Sequence, residues 1–298
     1  MPRTLHKARG SDYFALSGCP VAAVRVRIAR GDRISHPHDL TEREHVHDFR
    51  ELVLVVRGEA RHRLQGRDYP VRSGDVYMLQ ERSRHFFHGI RELELINIMY
   101  DASRLPFPQD QLRQLPGYSA LFLLEPQYRQ RHRFSSRLRL GVAALDKARA
   151  IGDDMVREAA SGLPGRGVLL YARLLELMTF LGRQYGRATT VERRELLRIG
   201  EVIGALERDF ARAWTIREMC AMAHLSRSTF LRTFRRAVGC PPLEFLQERR
   251  IREAERRLRE TAQTVTEIAY ACGFSDSNYF ARQFRRRRGL TPSAYRCR

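Results

Sequence analysis

The C-terminal part of the chain carries one short unit twice, and this duplication limits the possible folds more than any other feature. The first copy runs from Thr215 to Phe245 and the second from Thr264 to Tyr295. Each opens as Thr-x-x-Glu, with Thr215 and Glu218 in one copy and Thr264 and Glu267 in the other. At that spacing the hydroxyl and the carboxylate satisfy the unbonded N–H groups of a helix start. Small residues, Cys220 and Ala269, follow inside the helix, and Ser226 and Asp276 open a second one. Phe230, Arg232 and Phe234 match Phe280, Arg282 and Phe284. Gly239, Pro242 and Phe245 match Gly289, Pro292 and Tyr295. The offset grows by one residue between Cys220/Ala269 and Ser226/Asp276, so the second turn is one residue longer. Ordered matches of this kind mark a repeated supersecondary unit.

Each unit reads as a helix–turn–helix, predicted over 215–236 and 264–287, a motif that places its second helix in the DNA major groove. Two copies on one chain suit two successive grooves on one face of DNA. Between them, Phe245, Leu246, Ile251, Ala254 and Leu258 recur at helical spacing within Leu243 to Leu258. Glu253–Arg257 and Glu255–Arg259 form i,i+4 pairs on the other face. This segment is expected to be a rigid linker helix with a solvated arginine face, direct DNA contact by those arginines being the alternative. Charge agrees with a polyanionic partner. The formal net charge is +20. Residues 191–298 hold 23 Arg against 13 Asp and Glu, so half of the excess sits in little more than a third of the chain.

The segment IAYACGFSDSNYFARQFRRRRGLTPSAYR resembles the hallmark stretch of the AraC/XylS family of bacterial transcription regulators. The resemblance implies two recognition helices that bind direct-repeat elements of double-stranded promoter DNA, with RNA polymerase as a further partner. Carried onto this sequence, the readers are Ser228, Thr229, Leu231, Arg232 and Arg236 in the first copy. In the second they are Asp276, Ser277, Asn278, Arg282 and Arg286. Ser226 reads better as a helix cap, and Asp276 is equally a cap or a reader. Arg232 and Arg282 lie between core aromatics on the exposed side, and arginine is the side chain best suited to bidentate reading of guanine.

From 21 to 100 the pattern is β. Val24, Val26 and Ile28 alternate with Arg25 and Arg27, and Glu51 to Val56, Asp75 to Leu79 and Leu93 to Tyr100 supply further strands. Gly58, Gly66 and Gly74 recur at a spacing of eight, a turn rhythm of small barrels and sandwiches. His45, His47 and Glu51 share one parity, so on a single extended strand they face one side, and His85 is positioned to approach them. Three histidines and a carboxylate can ligate a divalent metal. The spacing H-x-H-x3-E-x6-G resembles the first motif of the cupin barrel. The second cupin motif is degraded: His85 remains, but Gln80, Arg82 and Gly89 stand where Pro, Gly and Asn are expected. His45, His47, Glu51 and His85 are therefore read as lining an effector pocket, with metal ligands and ordinary strand residues as alternatives. His62 and His88 are read as surface histidines. HVHDFRELVLVVRGEARH and ELELINIMY look most like the regulators of rhamnose operons within the family, which implies a sugar or sugar acid as effector.

Residues 101–190 read as helical after the turn Leu105 to Pro108. Two amphipathic segments, Leu138 to Ala160 and Gly167 to Tyr185, flank Ser161 to Gly165. The second carries an apolar band of Leu169, Leu170, Leu174, Leu175, Leu177 and Leu181, wider than one helix needs to cover a barrel. The resemblance favours a homodimer interface there, and packing within the domain is the alternative. Gly186 to Thr190 reads as a linker. Five scattered cysteines form no CxxC pair, which argues against a disulfide framework or zinc finger. No apolar run approaches membrane-spanning length, and no signal peptide is apparent, so a cytoplasmic protein without membrane contact is expected.

The chain is thus expected to be α+β. A cupin-like barrel occupies 1–104, a helical dimerisation segment 105–187, and an all-α DNA-binding domain 188–298. The expected function is a DNA-binding transcription regulator responding to a sugar-like effector, with no catalytic residues, metal or cofactor. The alternatives are a metal-dependent cupin enzyme fused to a DNA-binding domain, DNA repair by methyl transfer to a cysteine, and a constitutive architectural binder.

Overall fold

Alternating β-branched and aromatic residues drive the N-terminal part into one curled eight-stranded sheet. The computed structural model describes residues 6–15, 18–28, 43–126, 137–187 and 191–297. They belong to two units, Met1–Leu197 and Arg198–Arg298. In the first, the strands are β1 (His6–Ala8), β2 (Val21–Ile28), β3 (His45–His47), β4 (Arg50–Leu64), β5 (Arg67–Arg72), β6 (Asp75–Leu79), β7 (His85–Tyr100) and β8 (Leu138–Arg139). Their order is β1-β3-β7-β4-β6-β8, with β2 also on β7 and β5 also on β4. The long antiparallel β4–β7 ladder runs from Arg50 opposite Tyr100 to Leu64 opposite His85.

The inner face of the sheet holds Val53, Val55, Tyr77, Leu79, Leu93 and Leu95 in one core with Val26 and Ile28. Leu52 and Leu54 point the other way, yet are as buried as Val53 and Val55. Helices α4 (Val142–Ala160) and α5 (Arg166–Tyr185) cover that outer face. Gly152 of α4 lies so close to Ile96 that an added Cβ would come within 2.9 Å of its Cδ1. Burial on both faces explains why Glu51 to Val56 reads as a continuous apolar run rather than an alternation.

Gly58 is not a turn, unlike Gly66 in the β4–β5 hairpin. It sits inside β4 at φ 82°, where the register against β7 shifts three times between Val55 and Arg61. A Cβ there would lie 2.1 Å from the Glu92 carbonyl oxygen. The irregularity reverses the parity of β4. Glu51, Val53 and Val55 face inward before it, and Ala60, His62 and Leu64 after it.

Shorter helices are α1 (Gly10–Phe14), α2 (Gln109–Leu112) and α3 (Pro116–Tyr118), the last running into a π-helical turn, Ser119–Leu124. Two expectations are corrected. Leu138 and Arg139 do not begin a helix. They form β8 opposite Val76 and Asp75, because the buried Asp75 carboxylate draws the Arg139 guanidinium at 2.7 Å. The leucine band of α5 is mostly internal: Leu170, Leu174, Leu177 and Leu181 are buried in their own unit. Leu163, Val168 and Leu169 are the large apolar residues left exposed nearby. Of the expected linker, 188–190 lie outside the described residues.

The second unit is helical: α6 (Val191–Arg208, which begins in the first unit), α7 (Ile216–Ala223), α8 (Arg227–Val238), α9 (Pro242–Glu260), α10 (Val265–Ala271), α11 (Ser277–Arg288) and α12 (Pro292–Arg296). The α9 arginines form a solvated face only in part: Arg256 and Arg259 are exposed, but others turn inward. Arg249 and Glu253 are buried, and Arg249 reaches the buried Glu207 of α6 at 2.8 Å. Arg252 joins Glu207 at 3.1 Å, and Glu253 binds Arg256 and Arg257 at 2.7 and 2.9 Å. Glu255 does not pair with Arg259 through its side chain, but holds Arg288 of α11 at 2.7 Å. A buried carboxylate requires such partners, and they tie α9 to its neighbours. No helix among the described residues is long and apolar enough to cross a membrane.

Gly58→Ala is expected to lower stability by at least about 1–3 kcal/mol, since it adds a left-handed strain to a backbone clash. Urea denaturation followed by circular dichroism measures this, and an unchanged midpoint would show that the bulge tolerates a side chain.

Candidate functional site

Two sets of side chains carry chemistry, one inside the sheet and one on the helices. The inner set begins at the bend between β3 and β4. His45, His47 and Glu51 do not share one strand as expected, because Asp48 and Phe49 break the extended run. The bend still brings His47 Nε2 to 3.4 Å from Glu51 Oε2, and His85 Nε2 lies 3.7 Å from the same oxygen. Phe49 fixes His47 twice, stacking on its ring at 4.6 Å and accepting from its Nδ1 at 2.6 Å. His45 is half-exposed. It stands opposite His85 in the β3–β7 ladder, with the two rings 4.2 Å apart.

His62 belongs to this cluster, contrary to its reading as a surface residue. It is fully buried, stacked between Tyr77 and Phe87 at 5.2 and 4.6 Å, and its Nε2 lies 3.3 Å from His85 Nδ1. Strand parity counted from Glu51 would turn it outward, and it faces inward only through the register shifts around Gly58. The one sequence signal was a glycine interrupting a strand pattern. His88 does lie near the surface, paired with Asp68 at 2.9 Å.

The polarity of the cluster follows from the His47 tautomer. Its Nδ1 faces a carbonyl and so carries the proton, which leaves Nε2 an acceptor. Burial, the largest influence, pushes the His47 pKa down to about 4, so the ring is neutral near pH 7. Nε2 has no hydrogen-bond donor among the described residues. It faces a carboxylate, and the ligating atoms of His47, Glu51 and His85 all lie within 4.8 Å of one another. Converging acceptors are satisfied by a donor such as a ligand hydroxyl, or by a cation. Two imidazoles and a carboxylate also suit a first-row divalent ion. Of the cupin positions that differ, Gln80 and Arg82 lie in the β6–β7 turn, where Arg82 N donates to His47 O at 2.8 Å.

Because the neutral ring is favoured only in the folded state, acidification protonates the unfolded chain first. Stability from His47 is complete above about pH 6.5 and is lost as pH falls toward about 4. The expected loss is on the order of a few kcal/mol. His47→Gln should flatten that slope in urea titrations followed by circular dichroism between pH 4 and 7. An unaltered slope would assign it to other groups.

The second set lies on α8 and α11. Thr215 and Thr264 each accept from the Glu218 or Glu267 amide at 3.2 Å, and each glutamate accepts from its threonine amide in return. His224 ends α7 in the left-handed region, and Gly273 takes the equivalent place after α10. Only glycine fits there, since a Cβ would lie 2.4 Å from the Ala211 carbonyl oxygen. The extra residue of the second turn follows it. Ser226 and Asp276 both act as caps, accepting from the amides of Thr229 and Tyr279. Phe230, Phe234, Phe280 and Phe284 are fully buried. That orientation leaves Ser228 and Arg232 exposed on α8, with Thr229, Leu231 and Arg236 half-buried. On α11, Asp276, Asn278, Arg282 and Arg286 are exposed and Ser277 half-buried. Arg287 and Arg288 instead turn to Glu248, Arg288 at 2.6 Å. Burial raises the thiols of Cys19 and Cys220 and pushes Cys272 up to about 11, which disfavours a nucleophilic thiolate at these three.

Comparison with known proteins finds relatives for both parts of the chain. An AraC-like ligand binding domain matches residues 32–160, and a helix-turn-helix domain matches residues 219–298. The HTH-type transcriptional activator RhaR of Pectobacterium carotovorum is 30% identical, over 98% of this chain and 95% of that protein. RhaR of Enterobacter sp. (strain 638) is 29% identical, over 97% and 96%. The DNA-binding domain of AdpA, solved in complex with a target DNA, is 36% identical over 34% of this chain and 90% of that one, with a TM-score of 0.32. With a ligand-binding sheet followed by a doubled helix–turn–helix, and relatives that span its length, the chain belongs to the AraC/XylS family of DNA-binding transcription regulators.

Proposed function

We propose that this regulator activates transcription when a polyhydroxylated small molecule, a sugar or sugar derivative, binds among His45, His47, Glu51 and His85. The observation that carries this reading is the convergence of buried acceptors at His47 Nε2 and Glu51, aimed at one point and matched to hydroxyl donors. The barrel acts without catalysis, and the full-length relatives, named transcriptional activators, support that view. The partners are promoter DNA, RNA polymerase and a second copy of the chain, in the cytoplasm. Leu163, Val168 and Leu169 are better candidates for the dimer contact than the buried Leu174 and Leu177. A second reading is favoured by the same geometry: a divalent ion held by His47, Glu51 and His85 would supply the cation that those acceptors suit.

His47→Ala and Glu51→Ala are expected to abolish effector-dependent transcription and leave basal DNA binding intact. Thermal-shift screening of the full chain against monosaccharides and sugar acids identifies the inducer, and a promoter reporter then checks both variants. One equivalent of Fe, Mn, Ni or Zn in the purified protein, lost in both variants together with a turnover activity, would instead support an enzyme.

In the DNA-binding unit, Ser228, Thr229, Leu231, Arg232 and Arg236 form one reading surface. Asp276, Ser277, Asn278, Arg282 and Arg286 form the other. Asp276 acts there chiefly by capping α11 and presenting its neighbours. Arg232→Ala and Arg282→Ala should each cost about 1–3 kcal/mol in specific binding and relax sequence preference at a different sub-site. Binding titrations on operator variants measure this. Uniform weakening on all DNA with a shallower salt dependence would make both arginines phosphate contacts.

A further inference from the structure

A cleft of about 470 Å³ opens in the first unit, away from the histidine cluster. It is lined by Arg61 and Glu59 of β4, Arg72 of β5, Arg91 of β7, and Arg137 and Arg139 beside and on β8. Ala60 and Val71 point into the core, so their neighbours Glu59, Arg61 and Arg72 stand on the opposite face of the sheet. Two carboxylates oppose five guanidinium groups. Glu59 is engaged by Arg91 at 3.0 Å. Asp75, fully buried beneath the cleft, accepts from the Arg72 amide at 2.9 Å, from Arg139 at 2.7 and 3.1 Å, and pairs with Arg137 at 3.2 Å. Four donors exhaust what a carboxylate accepts well. The side chains of Arg61 and Arg72 have no ion-pair partner among the described residues.

The excess positive charge is crowded as well as numerous. Burial is the main reason that the Arg137 guanidinium falls below its ordinary value. Asp75 works in the opposite sense, and Arg139 and Arg72 add repulsion. Arg193, at the start of α6, donates to the Arg137 carbonyl at 3.2 Å and is itself repelled by Arg139. Guanidinium groups gathered in a concave site are suited to bidentate hydrogen bonds with carboxylate or phosphate oxygens. The volume falls in the range of small-molecule sites and is far too small for a duplex.

We propose that this arginine-lined cleft binds a small polyanion bearing at least two carboxylate or phosphate groups. The site is separate from the histidine cluster and opposite in polarity: the cluster presents acceptors to a donor-rich ligand, and the cleft presents donors to an acceptor-rich one.

Isothermal titration of the full chain at constant ionic strength tests this, with citrate and inorganic pyrophosphate as the two probes. At least one should bind with a single-site stoichiometry, and which one binds identifies carboxylate or phosphate as the preferred group. Glucose should not compete. The exposed pair Arg61→Gln and Arg72→Gln should weaken binding at least tenfold without lowering the melting temperature of the unliganded protein. The proposal is overturned if neither probe binds at millimolar concentration, or if the double variant binds as wild type does. It is equally overturned if the double variant keeps its affinity for the probes but loses affinity for DNA, which would make the patch a phosphate-backbone contact.

Discussion

The β4–β7 ladder is the interaction on which the first unit depends. Its two strands supply Glu51, His62 and His85, and the sheet's core lies against one face while α4 and α5 lie against the other. Alternation alone would make such a ladder a regular ribbon. The shifts around Gly58 make it a curved support with inward groups from both of its halves. The glycine is required there by steric contact with the Glu92 carbonyl, so one backbone position determines how the histidines are grouped.

In the second unit the corresponding constraint is the set of buried phenylalanines. Each recognition helix is fixed by two of them, which leaves one face outward, and the cap at its start sets where that face begins. Carboxylates then divide the arginines. Those within reach of Glu207, Glu248, Glu253 or Glu255 become internal ties, whereas Arg232, Arg282 and Arg286 remain exposed. An arginine-rich composition therefore serves two purposes, and position relative to a carboxylate separates them better than the charge count does.

The repeat was legible because its signals are local. Capping boxes, turn glycines and paired aromatics depend on spacing within a few residues, and the helices begin and end beside those residues. His47, Glu51 and His85 were legible by motif, although the single strand assumed for them is two strands around a bend. His62 was missed because burial at one end of a long strand depends on a register shift against a partner far away in sequence. The α9 ion pairs were misread for a related reason. Glu253–Arg257 is a genuine i,i+4 pair, but Glu207 and Arg288 come from other helices, and no local pattern announces them. Leu138–Arg139 became a strand through Asp75, another long-range partner.

A ligand alters DNA engagement only to the extent that it binds one state of the protein more tightly than another, so an effector site must touch something that differs between states. Within the first unit, the helix that continues into the second carries in its first turn Arg193, whose Nε is bonded to the carbonyl of Arg137 and whose guanidinium lies 5.3 Å over the Tyr185 ring. Arg137 in turn leads into the strand that clamps Asp75. A polyanion in the cleft would act directly on these groups by relieving the repulsion among Arg72, Arg137 and Arg139. A ligand at His47 would act instead on the bend between β3 and β4 and on the β6–β7 turn, whose Arg82 N is bonded to the His47 carbonyl and whose strand β6 pairs with β8. Both routes lead to Asp75, on β6 and bound by Arg137 and Arg139, so two such ligands would need no shared contact to be coupled: each would change the cost of keeping that buried carboxylate and its arginines in one arrangement.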